Sequence, residues 1–252
     1  MAKLVQKSGY IKSGKASGYM RYIATREGVE KLAGNSAVTK GQRELIQKLL
    51  HDFPDAVELF EYEDYCKTPT LGTASAFITM ALDANLHEID SESGYMQYIA
   101  TRPRVQKRGT HGLFSSASAV DLTLAMSELE AHEGNVWTII YSLRREDAAR
   151  LEFDNADAWR TLLMENAPTL AKSMKISLNN FHWYAAFHDE GHHPHIHMMV
   201  WSDDPKEGFL TKDGIATMRS KLTNAIFRDE MQQIYERKDV AYSDLVEAAQ
   251  NA

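Results

Sequence analysis

The sequence predicts an α+β fold, an antiparallel sheet with helices packed on it, and three observations predict it. Residues 136–142 (Val-Trp-Thr-Ile-Ile-Tyr-Ser) are rich in β-branched and aromatic side chains, the signature of a strand. Residues 156–174 place Trp159, Leu162, Leu163 and Leu170 on one stripe at helical spacing. Residues 181–188 and 195–201 flank the turn Asp189-Glu-Gly-His-His-Pro194, whose Gly and Pro are turn formers, so the two segments read as an antiparallel hairpin. Strand, helix, strand, strand is the order of a layered α+β sandwich. The composition agrees: 252 residues, 44% hydrophobic and 25% charged, make an ordinary folded chain of one or two domains.

From the N-terminus, the first feature is an internal repeat. Ser17-Gly-Tyr-Met-Arg-Tyr-Ile-Ala-Thr-Arg26 and Ser93-Gly-Tyr-Met-Gln-Tyr-Ile-Ala-Thr-Arg102 differ only at Arg21 versus Gln97. Both copies read as short helices opened by a Ser-Gly pair. At ~3.6 residues per turn, Tyr19, Tyr22 and Arg26 share a face, as do Tyr95, Tyr98 and Arg102, so each copy sets a phenol one turn from a guanidinium. A merely packed amphipathic helix needs its apolar positions but not the same Thr and Arg twice.

Between the copies, residues 39–50 (Leu45, Ile46, Leu49, Leu50) and 70–85 (Ala74, Phe77, Ile78, Ala81, Leu82) read as amphipathic helices, punctuated by Pro54 and Pro69. They form an expected helical insertion over about residues 39–90. The acidic aromatic stretch Glu58-Leu-Phe-Glu-Tyr-Glu-Asp-Tyr65 reads as a surface loop or edge strand without a functional role.

The net charge of −7 hides a segregation along the chain. Residues 1–50 carry ten Lys/Arg against Glu27, Glu30 and Glu44, a net of +7; residues 51–92 carry ten Asp/Glu against Lys67, a net of −9. Arg102, Arg104, Lys107 and Arg108 then form a second basic knot with no acid among them. Such local surfaces bind phosphate whatever the total charge. The longest apolar runs, such as 196–201, fall short of the ~20 residues a membrane helix needs. The N-terminus lacks the apolar region of a secretory signal, so a soluble, cytoplasmic protein without membrane insertion is expected. Cys66, the sole cysteine, excludes an internal disulfide and a thiolate metal cage. A bound metal must be held by His, Asp or Glu.

The hairpin supplies such ligands. On a strand of period two, His195 and His197 project to one face while Ile196, Met198 and Val200 project to the other. The six-residue turn sets His188 opposite His195, with Cβ atoms ~5 Å apart, and His197 on the neighbouring diagonal. Three imidazoles therefore converge. His182 lies ~20 Å away along the same strand, and His192 and His193 compete as ligands from the turn. Three neutral imidazoles suit a divalent cation, Mn²⁺ or Mg²⁺, and leave it coordination positions and its full charge for an anionic oxygen. A tyrosine attacking phosphorus would conserve the bond energy in a phosphotyrosine, and a neighbouring Arg would favour the phenolate.

His188-x6-His195-x-His197, with Pro194 before the pair, resembles the three-histidine signature of the HUH endonucleases, specifically the relaxases that nick plasmid DNA at the transfer origin. The wider text is similar to the MobL-type mobilisation relaxases: Tyr22-Ile-Ala-Thr-Arg-Glu-Gly-Val-Glu30, Gly109-Thr-His-Gly-Leu-Phe114, Gly134-Asn-Val-Trp137, Ser142-Leu-Arg-Arg-Glu-Asp147 and Trp183-Tyr-Ala-Ala-Phe-His188. The resemblance implies a five-stranded antiparallel sheet with the histidines on central strands, residues 3–12 as the first strand, and a nucleophilic tyrosine on the helix after it. That tyrosine is Tyr22, with Tyr98 of the duplicated helix as a second candidate and Tyr19 and Tyr95 behind them. The aspartate that often follows the first histidine by two is Glu190 here. The implied activity is metal-dependent, strand-specific nicking and rejoining through a 5′-phosphotyrosine, which initiates conjugative mobilisation. Arg21, Arg26, Arg102, Arg104, Lys107, Arg108 and His111 are expected to contact single-stranded or origin DNA. Accessory relaxosome proteins and a coupling protein are implied as partners. The resemblance also implies a single nicking domain over residues 1–252 that ends in a helical segment over about 214–249. A rolling-circle replication initiator, a metal-stabilised DNA-binding module without nicking, and a three-histidine hydrolase of small molecules are alternatives; the last leaves the tyrosine repeat and the basic N-terminus unused.

Overall fold

In a computed structural model, the described residues are 3–10, 37–85, 92–101, 105–107, 111–117 and 119–228. Strand β1 (Val5–Tyr10) is followed by α1 (Lys40–Asp52), α2 (Phe60–Lys67), α3 (Leu71–Asn85) and α4 (Glu92–Thr101). Then come β2 (Leu113–Phe114), α5 (Leu122–Glu130), β3 (Trp137–Ser142), α6 (Arg145–Arg150), α7 (Ala156–Ser173), β4 (Phe181–His188), β5 (His195–Ser202) and α8 (Lys212–Ile226). The fold is α+β, and the five strands form one antiparallel sheet in the order β1-β3-β5-β4-β2. No helix among the described residues is long and apolar enough to cross a membrane.

Local chemistry starts the helices where the apolar pattern begins. Before α1, the Gln42 amide donates to Thr39 Oγ1 at 3.2 Å while the Thr39 amide donates to Gln42 Oε1 at 3.0 Å, a reciprocal capping box. Asn155 caps α7 by accepting from the Ala158 amide at 2.9 Å. The second copy of the repeat is helical in α4, whereas the first copy, residues 17–26, lies outside the described residues. The expected C-terminal helical segment begins as α8, and residues 229–252 lie outside the described ones.

The pleat divides the sheet into two unlike faces. On one, Ile139, Tyr141, Trp183, Phe187, Ile196, Met198 and Val200 form a single buried cluster with Trp159, Leu162, Leu163 and Leu170 of α7 and Met218, Leu222 and Ile226 of α8. Gly214 lets α8 start close to the end of α7, since a Cβ there would lie 2.5 Å from the Ser173 carbonyl oxygen. The other face carries two separate apolar clusters. Ile140 packs with Ile46 and Leu49 of α1 and Phe77, Ile78 and Ala81 of α3, while Ala186, Met199, Trp201 and Leu113 pack with Met96 and Ile99 of α4 and Ala125 and Leu129 of α5. One cross-sheet rung reads Lys7, Ile140, His197, Ala186, so a histidine sits where the two clusters meet.

The reading of residues 58–65 as loop or edge strand is corrected. Residues 54–58 form a 3-10 turn and Phe60–Lys67 is the helix α2. Alternating acids and aromatics mimic a strand, but Leu59, Phe60 and Glu61 are buried together at the helix start, and Lys67 reaches Glu63 one turn back at 2.5 Å. Tertiary burial of that first turn decides the conformation.

Candidate metal centre

The hairpin register is the expected one: His188 pairs with His195, and His197 lies two residues further along β5, opposite Ala186. Partners across an antiparallel ladder point to the same face. The three rings converge there, with centroids 5.2 Å apart for His188 and His195, 4.7 Å for His188 and His197, and 5.0 Å for His195 and His197. All three are buried, and each offers a ring nitrogen within 4.8 Å of the others. Among the described residues this is the one cluster of His, Cys, Asp or Glu able to hold a metal ion.

Backbone carbonyls set the tautomers. His188 Nε2 lies 2.9 Å from the Ile99 carbonyl oxygen, and His195 Nδ1 lies 2.9 Å from that of His193. A carbonyl only accepts, so these nitrogens carry the hydrogens and the lone pairs sit on His188 Nδ1 and His195 Nε2. Orientation of ligand imidazoles by a bond on the far nitrogen is the common arrangement in metal sites. The donor set fits a divalent cation.

The turn that joins the histidine strands is held from outside. Arg145 donates through Nε to the Gly191 carbonyl at 3.2 Å, pairs with Asp189 at 2.5 Å, and also donates to the Glu190 carbonyl. The Arg145 and Leu143 amides donate to the carbonyls of His192 and Pro194 at 2.9 and 3.2 Å. Helix α2 closes the other side: Phe60 stacks on the His193 ring at 5.2 Å, and His193 Nε2 lies 2.8 Å from Asp64 Oδ2. Arg144 bridges Asp64 at 3.2 Å and Glu63 at 3.3 Å and lies over the Phe60 ring. His193 is thus tied to a carboxylate rather than to the triad. Burial pushes its pKa down against the upward pull of Asp64. Burial raises the Asp64 pKa, but the bonds from His193 and the charge of Arg144 outweigh it and leave the carboxyl below its usual range. The Glu61 carboxyl, buried beside Asp64 and Glu190, is pushed up to about 8, chiefly by desolvation.

Other expected site residues fall in different places. Tyr22, Arg21, Arg26, Arg102, Arg104 and Arg108 lie outside the described residues. Tyr98 lies on α4, immediately before Ile99, whose carbonyl receives the His188 N–H. Val105 forms an isolated bridge to His188, and Lys107, two residues further on, is exposed. His111 is buried; one ring nitrogen accepts from the Leu113 amide at 3.1 Å and the other lies 3.1 Å from the Val120 carbonyl, so a DNA contact would require breaking its own loop. Asp64, Arg144 and Arg145 carry no sequence signal that joins them to this centre, and His193, expected as a competing ligand, is held by Asp64 instead. The i,i+4 pair Glu63 and Lys67 was the available signal for α2.

A family model described as MobL relaxases matches residues 1–252. No curated protein and no solved structure matches the chain.

Proposed function

The chain belongs to the MobL relaxases, nicking enzymes of mobilisation, and from that premise we propose that it cleaves and rejoins one strand at a plasmid transfer origin by an HUH-type phosphotyrosine mechanism. The observation that supports this reading is the buried histidine triad with two of its tautomers set by carbonyls. His188, His195 and His197 would hold one divalent cation, Mn²⁺ or Mg²⁺, and when bound it supplies Lewis-acid polarisation of a phosphodiester oxygen. The tyrosine oxygen forms a bond to phosphorus, the bond from phosphorus to the 3′ oxygen breaks, and the phenolic proton ends on that 3′ hydroxyl. The 5′-phosphotyrosine keeps the ester energy, so reversal rejoins the strand without ATP. Arg21, Arg26, Arg102, Arg104, Lys107 and Arg108 hold the DNA backbone, with accessory relaxosome proteins and a coupling protein as further partners.

Tyr22 is the proposed nucleophile, by its position after the first strand and its Arg21 neighbour. One observation favours Tyr98 as the second reading: its helix docks on the centre through the Ile99 carbonyl. Supercoiled plasmid carrying the cognate origin should yield open circles with protein joined to the 5′ end in Mn²⁺ or Mg²⁺. Tyr22→Phe should abolish the adduct and leave DNA affinity nearly intact. An adduct that survives Tyr22→Phe and is lost in Tyr98→Phe reverses the assignment, and normal nicking by both variants removes the tyrosine reading.

A further inference from the structure

The stretch Ser142-Leu-Arg-Arg-Glu-Asp147 wraps the histidine turn, and Arg144, Arg145 and the Leu143 amide all have structural partners there. Ser142 does not. It ends β3 directly opposite His195, so one rung of the sheet reads Val5, Ser142, His195, His188, with all four side chains on the histidine face. Its relative exposure is 1%, and its Oγ is buried with no hydrogen-bond partner among the described residues.

A buried hydroxyl without a partner is costly, and alanine would fill that place without the cost. Val5, the neighbour on the same rung, shows that the position beside it is built for an apolar side chain. Neighbouring Cβ atoms on a rung lie ~5 Å apart, so the Ser142 side chain stands next to that of His195, at the edge of the triad. We propose that Ser142 is a substrate-binding residue whose O–H donates to a non-bridging oxygen of a phosphodiester held at the centre. This rests on the reading of the triad as the site of phosphodiester cleavage. A hydroxyl suits the task because it adds no charge to compete with the three imidazoles for the cation, yet a bond to an anionic oxygen is among the stronger hydrogen bonds.

Thr138 provides the internal control. It lies on the same strand and face, four residues or ~13 Å from Ser142, opposite Met199, and its Oγ1 is likewise buried and without a partner among the described residues. The full-length protein would be titrated with Mn²⁺ alone and then, loaded, with dimethyl phosphate as a minimal phosphodiester, followed by the paramagnetic broadening of its ³¹P resonance. Ser142→Ala should melt no lower than the parent, bind Mn²⁺ within twofold, and bind dimethyl phosphate about tenfold more weakly. Thr138→Ala should leave both affinities unchanged. Equal dimethyl phosphate affinity in Ser142→Ala and the parent overturns the proposal, as does an equal loss in Thr138→Ala, which would mark the effect as one of packing. A parent protein that binds no Mn²⁺ removes the metal reading itself and this proposal with it, whereas Mn²⁺ binding with an unresponsive Ser142 removes only the latter.

Discussion

Two faces of one strand can be compared residue by residue. On β5, Ile196, Met198 and Val200 enter the cluster formed with α7 and α8, where apolar neighbours and close packing are all they need. His195 and His197 enter the opposite layer, where His195 depends on a carbonyl at the turn and His188 beside it on a carbonyl of α4. Behind the turn carbonyl stand Asp64, Arg144 and Arg145. The apolar face is satisfied by shape. The histidine face is satisfied by partners contributed from several helices and loops. From His195 to Met198, apolar packing and the histidine cluster are therefore separated by the alternation of the pleat, within a few ångströms, rather than assigned to different stretches of chain.

The largest expected effect sharpens that contrast. Trp159→Ala empties the centre of the apolar face and breaks the indole N–H bond to the Phe153 carbonyl, so it should lower unfolding free energy by about 3–5 kcal/mol in urea titration. Metal affinity, corrected for the unfolded fraction, should be unchanged; a changed affinity would break the separation. Next, if the triad holds the cation, Mn²⁺ should stabilise the parent by about 2.7 kcal/mol at about 100 times Kd. His197→Ala should abolish that increment whatever its effect on the metal-free protein. A full increment in this variant would mean that the ion binds elsewhere.

The smallest effect per pH unit concerns Glu61, on the helix that closes the histidine turn. Burial holds its carboxyl at about 8 from the ordinary 4.5, so the folded protein keeps a proton that the unfolded chain releases. That contribution is complete below about pH 4.5 and is lost as pH rises through about 8, with a slope of up to about 1.4 kcal/mol per pH unit. Glu61→Gln should flatten the stability profile between pH 5 and 8. An unchanged profile would show that this carboxyl is solvated.

The elements legible in the sequence are those in which one local rule dominates. Period-two apolar alternation and a Gly-Pro turn fixed the β4–β5 hairpin, and with it the register that joins the histidines. Helical stripes identified α1, α3 and α7. Strand β2 escaped because two residues carry no periodicity, and its pairing with β4 is set by the sheet rather than by Leu113 and Phe114 themselves. Helix α2 was misread because its acids and aromatics alternate, while what holds it is contact with residues far away in sequence: His193, Arg144 and Lys3. The same non-local pairing hid Ser142, since a serine at a strand end says nothing until the neighbouring strand brings His195 beside it.

The register of β5 also constrains how the protein reaches its native state. If β5 slipped by one residue against β3 and β4, every side chain would change face. His195 and His197 would then be driven against Trp159 and Leu163, while Ile196 and Met198 filled the histidine layer. In a strand that is apolar on both faces such a slip is a shallow misfolded minimum, because one set of apolar residues replaces another. Here the two sets cannot stand in for each other, so the out-of-register pairing is penalised on both faces at once, and the landscape around the hairpin is steep. The pattern that brings the three imidazoles together therefore also acts as a parity check on assembly. A length change in the 189–194 turn that shifts the register by one would be eliminated as a folding defect before its effect on nicking could be tested.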